Sequence, residues 1–177
     1  MADEDVMKAE KIYFDMDGVL ADFDLGIKEL CGMGPRPKGW DQRKEYDDEM
    51  WDRVRSVGHF YDKLSLLPGA KEMFDTVFSE YGDRCEILSA VPRPERGIDS
   101  AGGDKIRWVR RLLSEDVKIN IVLRKEKQNY CTGPGCILID DLYSNIRSWE
   151  KSGGTGILHH SAPETLAKLK DIGVLPE

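Results

Sequence analysis

The stretch IYFDMDGVLADFD, residues 12 to 24, sets Asp15 and Asp17 one residue apart directly after the apolar run Ile12-Tyr13-Phe14. Further along, CILIDD (136–141) ends in Asp140 and Asp141, CEILS (85–89) ends in Ser89, and KINIVL (118–123) runs into RKEK (124–127). Carboxylates a few ångströms apart repel strongly at low dielectric. A chain that gathers four of them therefore needs positive charge nearby, from lysines or from a bound cation. Asp-x-Asp-Gly alone is weak evidence and Asp-Asp weaker still, but both pairs end predicted strands. A calcium loop of the EF-hand type is excluded, because it requires further acidic ligands before its glycine and a Glu at position 12.

The elements that must position these groups can be read from apolar patterning. Residues 11–15, 84–89, 118–123, 136–140 and 155–159 are short, nearly continuous apolar runs, the pattern of strands buried on both faces of a parallel sheet. Helical patterns lie between and after them at 69–81, 104–114, 142–151 and 162–172, with Asp104 expected as an N-cap and Gly153-Gly154 as a stop. The alternation predicts an α/β fold, a Rossmann-like parallel sheet with helices on both faces. Ligands of such sheets bind beyond the carboxyl ends of the strands, where all four stretches would meet.

Residues 22–66 break the alternation. CGMGPRPKG (31–39) interrupts them, DDEMWDRVRSV (47–57) reads as a charged amphipathic helix, and no strand pattern appears. The expected organisation is a core of residues 1–21 and 67–177 with a small helical cap at 22–66. Asp22 and Asp24 are expected to cap or solvate the helix that follows, and Arg107, Arg110 and Arg111 to form a solvated helix face.

The 177 residues are 40% hydrophobic, enough for one cored domain, and no stretch is apolar enough to cross a membrane. A formal net charge of −7 argues against binding long nucleic acid but leaves room for a small anion in a locally cationic pocket. MADEDVMKAEK, at the start, lacks the basic and apolar regions of a secretory leader, so the expected compartment is the cytoplasm. The cysteines at 31, 85, 131 and 136 form no C-x-x-C pair and are expected to be reduced thiols.

DMDGVLADF, ILSA and LIDDL, with lysines between the last two, resemble the motifs of the haloacid dehalogenase (HAD) superfamily of phosphatases. Within it, DMDGVLADF, LLPGAKEMF, KIRWV and IVLRKEK are similar to the 5'(3')-deoxyribonucleotidase branch, over residues 11 to 145 and least in the cap. The resemblance implies that Asp15 is a nucleophile toward phosphorus and Asp17 the general acid and base. It implies a Mg²⁺ site drawing on Asp15, the backbone carbonyl of Asp17, and Asp141, with Asp140 supporting it. Ser89 and backbone N–H groups near Gly18 would hold phosphate oxygens. Lys127 aligns with the family's lysine, although QNYCTGPG lengthens its spacing to Asp141; Lys105 and Lys125 are the other candidates.

Phe23 stands where that branch presents an aromatic to its substrate, and Trp40 is a second candidate; a base between such rings would gain roughly 1–3 kcal/mol from stacking. The same aromatics, with Trp51 and Phe60, could instead simply form the cap's core. SAVPRPERGIDSAGG (89–103) departs from the family's usual run. The expected partner is a small phosphorylated substrate, a (deoxy)nucleoside monophosphate in the first reading and a sugar phosphate or other small ester in the alternative. A phospho-acceptor signalling domain also collects Asp, Ser and Lys around Mg²⁺, but it places its acidic pair first and a solitary acceptor Asp mid-chain.

Overall fold

The computed structural model describes residues 9–177. Residues 1–8, which carry most of the acidic start behind the expectation of no leader, lie outside the described residues. Five parallel strands form one sheet in the order β3-β2-β1-β4-β5: β1 Lys11–Phe14, β2 Cys85–Val91, β3 Lys118–Leu123, β4 Cys136–Asp140 and β5 Thr155–Leu158. The helices are α1 Phe23–Cys31, α2 Lys44–Ser56, α3 Ala70–Tyr81, α4 Ala101–Leu112, α5 Tyr143–Lys151 and α6 Ala162–Asp171. Among the described residues no helix is long and apolar enough to cross a membrane, and all four cysteines are free thiols.

Alternation along the strands divides the core into two layers. Ile12, Phe14, Ile87, Ile137 and Ile139 pack against Met73, Phe74 and Val77 of α3, Trp108 and Val109 of α4, and Leu169 of α6. Tyr13, Leu88, Val122 and Leu138 point the other way, onto Ile146 and Trp149 of α5. The Trp149 indole N–H donates to the Cys136 carbonyl at 2.9 Å. Burying both faces explains why the strands read as continuous apolar runs.

Asp104 departs from its expected role. α4 begins at Ala101 and runs through Gly102-Gly103, which placed Asp104 inside the first turn rather than at the cap. Its buried carboxylate accepts from Ser100 Oγ at 2.8 Å and from Arg107, and lies 2.8 Å from His59 Nδ1. Arg107 and Arg111 therefore have partners although they are exposed, Arg111 bonding Asp62. Asp22 caps α1 as expected, accepting from the Leu25 N–H at 3.1 Å.

Between β1 and α3 the chain forms α1, α2 and a short turn at Phe60–Lys63, without a strand. Phe23, Ile27, Met50, Val54, Phe60 and Tyr61 bury one another there and join the main core. The two connections are paired, since Ala21 and Leu66 form an antiparallel bridge, Asp22 N–H donates to Ser65 O, and Leu67 N–H donates to Leu20 O, both at 2.8 Å.

His159, just past β5, yields a stability prediction. Its ring is buried with Nδ1 2.6 Å from Thr165 Oγ1, and burial pulls its pKa down from 6.5 to about 4. Between those values the unfolded chain holds a proton that the folded chain does not. Stability is thus retained above about pH 6.5 and lost as the pH falls toward 4, by on the order of 1–2 kcal/mol once solvent screening is allowed for. Equilibrium unfolding of His159→Gln is expected to lack this component, and an unchanged pH slope in that window would count against it.

Candidate active site

β1 and β4 are hydrogen-bonded neighbours, and the ladder continues through Asp15, whose N–H donates to Ile139 O at 2.9 Å. This register puts Asp15 beside Asp140 and Asp141, and one carboxylate oxygen from each of the three lies within 4.8 Å of the others. The chain then turns sharply, with the Leu20 and Ala21 N–H groups donating to Met16 O and the Gly18 N–H to Ala21 O. Gly18 adopts φ +80°, and a Cβ there would stand 1.9 Å from Asp141 Oδ2. Only glycine meets both demands, the left-handed backbone and the contact.

Of the three candidate lysines, Lys105 and Lys127 are buried and they hold different carboxylates, while Lys125 is exposed. Lys127, from the turn Arg124–Tyr130 that follows β3, donates to Asp15 Oδ1 and to Asp140 Oδ2, each at 2.9 Å. Lys105, from α4, spends its ammonium on Asp17 Oδ2 at 3.0 Å, Ser89 Oγ at 2.8 Å and Ala90 O at 2.6 Å, with Nζ 4.5 Å from the Tyr61 ring centroid. An ammonium has three N–H donors, so Lys105 is saturated. Lys125 lines a second cavity, and none of its hydrogen bonds within the described residues reaches the carboxylates.

The carboxylates differ in how they are held. Asp140 is fully buried and satisfied: Oδ1 accepts from the Leu142 N–H at 2.9 Å, and Oδ2 from Lys127 and, at 3.1 Å, from Asn145 Nδ2. Asp17 keeps Oδ1 buried without a hydrogen-bond partner among the described residues. Burial and then the neighbouring Asp140 charge push the Asp15 carboxyl up to about 6, against the pull of Lys127. Burial, Asp15 and Asp140 push Asp141 well above the carboxylate range. Burial opposes the Lys127 ammonium, but Asp140 and Asp15 outweigh it and raise its pKa. The cluster thus holds more negative charge than its lysines balance.

Over this floor opens a cavity of about 410 Å³, in the range of small-molecule sites. Phe23, Trp40, Trp51 and Tyr61 line it with Arg36, Arg96 and Arg124. Phe23 is only 2% exposed, against Phe60, Trp51 and Tyr61. Arg36 Cζ lies 4.6 Å from the Phe23 ring centroid and 5.0 Å from that of Trp40. The two rings expected to face a base are thus both in contact with a guanidinium. Arg36 also donates to Asp24 Oδ1 at 2.8 Å and reaches Asp141 Oδ2 at 3.5 Å.

Arg36, Tyr61 and Asn145 were not singled out from the sequence. Arg36 sits in the aperiodic CGMGPRPKG stretch, and Tyr61 in a turn without helical spacing. Asn145 carried a usable signal, a polar side chain in the first turn of the helix directly after Asp140-Asp141.

No protein-family model matches the chain. A protein of Vibrio phage KVP40, provisionally named a 5'(3')-deoxyribonucleotidase, is 30% identical over 135 residues, spanning 76% of this chain and 67% of that protein. Among solved structures, a HAD-superfamily hydrolase from Ehrlichia chaffeensis superposes with a TM-score of 0.57 at 14% identity, covering 93% of this chain and 98% of that one. A haloacid dehalogenase-like hydrolase from Streptococcus pneumoniae gives 0.53 at 14% identity, over 92% and 99%. The two structures bear on the fold alone.

Proposed function

This chain belongs to the haloacid dehalogenase superfamily of hydrolases, as a relative of the 5'(3')-deoxyribonucleotidase family, and from that premise we propose that it is a Mg²⁺-dependent phosphomonoesterase acting on (deoxy)nucleoside monophosphates. The observation that carries the reading is the joint placement of Asp15, Asp17, Asp140 and Asp141 with two buried lysines under an aromatic-walled cavity.

In this reading the Asp15 carboxylate attacks phosphorus, forming a P–O bond to Asp15 as the bond to the ester oxygen breaks. Lys127 fixes the attacking group by holding its Oδ1. Asp17 protonates the departing oxygen, then takes a proton from the water that cleaves the aspartyl-phosphate, returning Asp15 and releasing inorganic phosphate. Its anchored Oδ2, and an Oδ1 without a hydrogen-bond partner among the described residues, suit a proton carrier with one fixed and one working oxygen. Lys105 keeps Asp17 and Ser89 in place from behind. The core of 1–21 and 67–177 supplies the chemistry, and the cap of 22–66 selects the ester with Phe23 and Trp40 lining the cavity alongside the Arg36 that covers them.

The donor set fits a hard divalent cation, because the clustered ligands are all oxygens and their negative charge exceeds what Lys127 balances. Asp15 and Asp141 would hold it, with the Asp17 backbone carbonyl, while Asp140, already satisfied by Lys127, Asn145 and Leu142, would support them. When bound, Mg²⁺ would neutralise the carboxylates and draw charge from the phosphoryl oxygens.

A panel of nucleoside monophosphates and sugar phosphates, assayed with Mg²⁺ and with excess chelator, tests the proposal. Nucleotide hydrolysis that falls at least about 10²-fold on chelation is the expected result. Rapid hydrolysis of a sugar phosphate beside idle nucleotides would transfer the assignment to the other ester class.

A further inference from the structure

We infer that Arg93, Arg124 and Lys125 form a second anion subsite beside the reacting phosphate, which takes a second phosphoryl group carried elsewhere on the same nucleoside; the inference rests on the phosphomonoesterase reading above. A second cavity, of about 500 Å³, shares Arg93, Arg124, Lys127 and Asn145 with the first. The two lobes therefore meet along a common wall.

The charges in the two lobes differ in kind. Apart from Arg93 on the common wall, the cations of the first lobe are committed, Lys127 to Asp15 and Asp140, Arg36 to Asp24, and Arg96 to Asp47 and Asp48 at 2.8 Å each. In the second lobe Arg93 and Lys125 form no ion pair among the described residues, and Glu95 is the one carboxylate in its lining. Arg93 and Lys125 thus bring positive charge to this lobe within a chain of net charge −7. Arg124 is fixed by Asn145 Oδ1 at 3.1 Å, Asp41 Oδ2 at 2.9 Å and Ser144 Oγ at 2.5 Å, which leaves Nη1 without a partner among the described residues. A planar fork with one nitrogen free is suited to a phosphate oxygen.

The subsite is also braced. Asn145 donates to Asp140 and accepts from Arg124, so one side chain ties the carboxylate floor to the second lobe. Arg93 lies between Pro92 and Pro94, whose rings restrict the backbone, and the turn that follows is pinned by Arg96. This is the segment in which the sequence departs from its family's usual run. Two phosphates on different oxygens of one sugar stand further apart than the two of a pyrophosphate, which suits a pair of adjoining cavities.

Calorimetric titration of the Asp15→Asn protein in Mg²⁺ with deoxyadenosine 5'-monophosphate and deoxyadenosine 3',5'-bisphosphate tests this, beside turnover of both by the unmodified chain. The bisphosphate is expected to bind at least about 10-fold more tightly, an advantage that falls below about 2-fold when Arg93→Ala and Lys125→Ala are added. Equal affinities, or an advantage that survives the double substitution, would overturn the subsite while monophosphate hydrolysis leaves the phosphatase reading standing. Binding and turnover of neither nucleotide would overturn both. Tighter binding of a 3'-phosphorylated oligonucleotide than of the bisphosphate would overturn the small-molecule assignment.

Discussion

Asp15→Asn is expected to lower phosphatase turnover by at least about 10³-fold while leaving the folded state intact. The amide keeps the shape and volume of the side chain but removes the negative charge on which the proposed attack on phosphorus depends. It also relieves electrostatic strain, because burial and Asp140 already hold the Asp15 carboxyl at about 6. The metal-free variant should therefore melt at or above the temperature of the unmodified chain. Acid-quenched reaction mixtures should yield a phosphorylated Asp15 peptide from the unmodified protein and none from the variant. Undiminished activity would show that another group attacks.

Lys127→Met should do the opposite to stability. The ammonium lies 2.9 Å from both Asp15 Oδ1 and Asp140 Oδ2 and is almost fully buried. A methionine of similar length fills the space and leaves two buried carboxylates facing one another. Removing one member of a buried ion pair typically costs about 3–5 kcal/mol, and the loss is expected in that range for protein treated with chelator. Saturating Mg²⁺ should recover a larger part of it than it adds to the unmodified chain, since the cation would replace the lost positive charge. Urea melts of both proteins with and without Mg²⁺ measure this. Equal stability of variant and unmodified chain in chelator would remove Lys127 from the charge balance. Turnover should fall with it, because Asp15 would lose the contact that orients it.

Much of this arrangement was legible in the sequence because it depends on regular repeats. The five strands announced themselves as apolar runs, and a parallel sheet delivers whatever follows each strand to one edge. That is how residues as far apart as Asp15, Ser89 and Asp140 come together there. The start of α4 was less legible, because Gly102-Gly103 reads as loop while in the fold both residues are helical, within the helix that begins at Ala101. Choosing between Lys105 and Lys127 was beyond any spacing argument, since both are buried and each serves a different aspartate. Arg36 was illegible for another reason. Its contacts with Phe23, Asp24 and Asp141 form only when an aperiodic loop folds back, and no local pattern encodes that return.

The pairing of Ala21 with Leu66 has a consequence for how such chains diversify. Because the excursion from the sheet departs and comes home at adjacent points, its ends already sit at the spacing of a tight hairpin. Evolution, or an engineer, could exchange everything between those ends for a segment from another hydrolase without re-registering a single strand. Chimaeras spliced at Ala21 and Leu66 would take the positions of Phe23, Arg36 and Trp40 from the donor and keep Asp15, Asp17, Asp140 and Asp141 from the recipient.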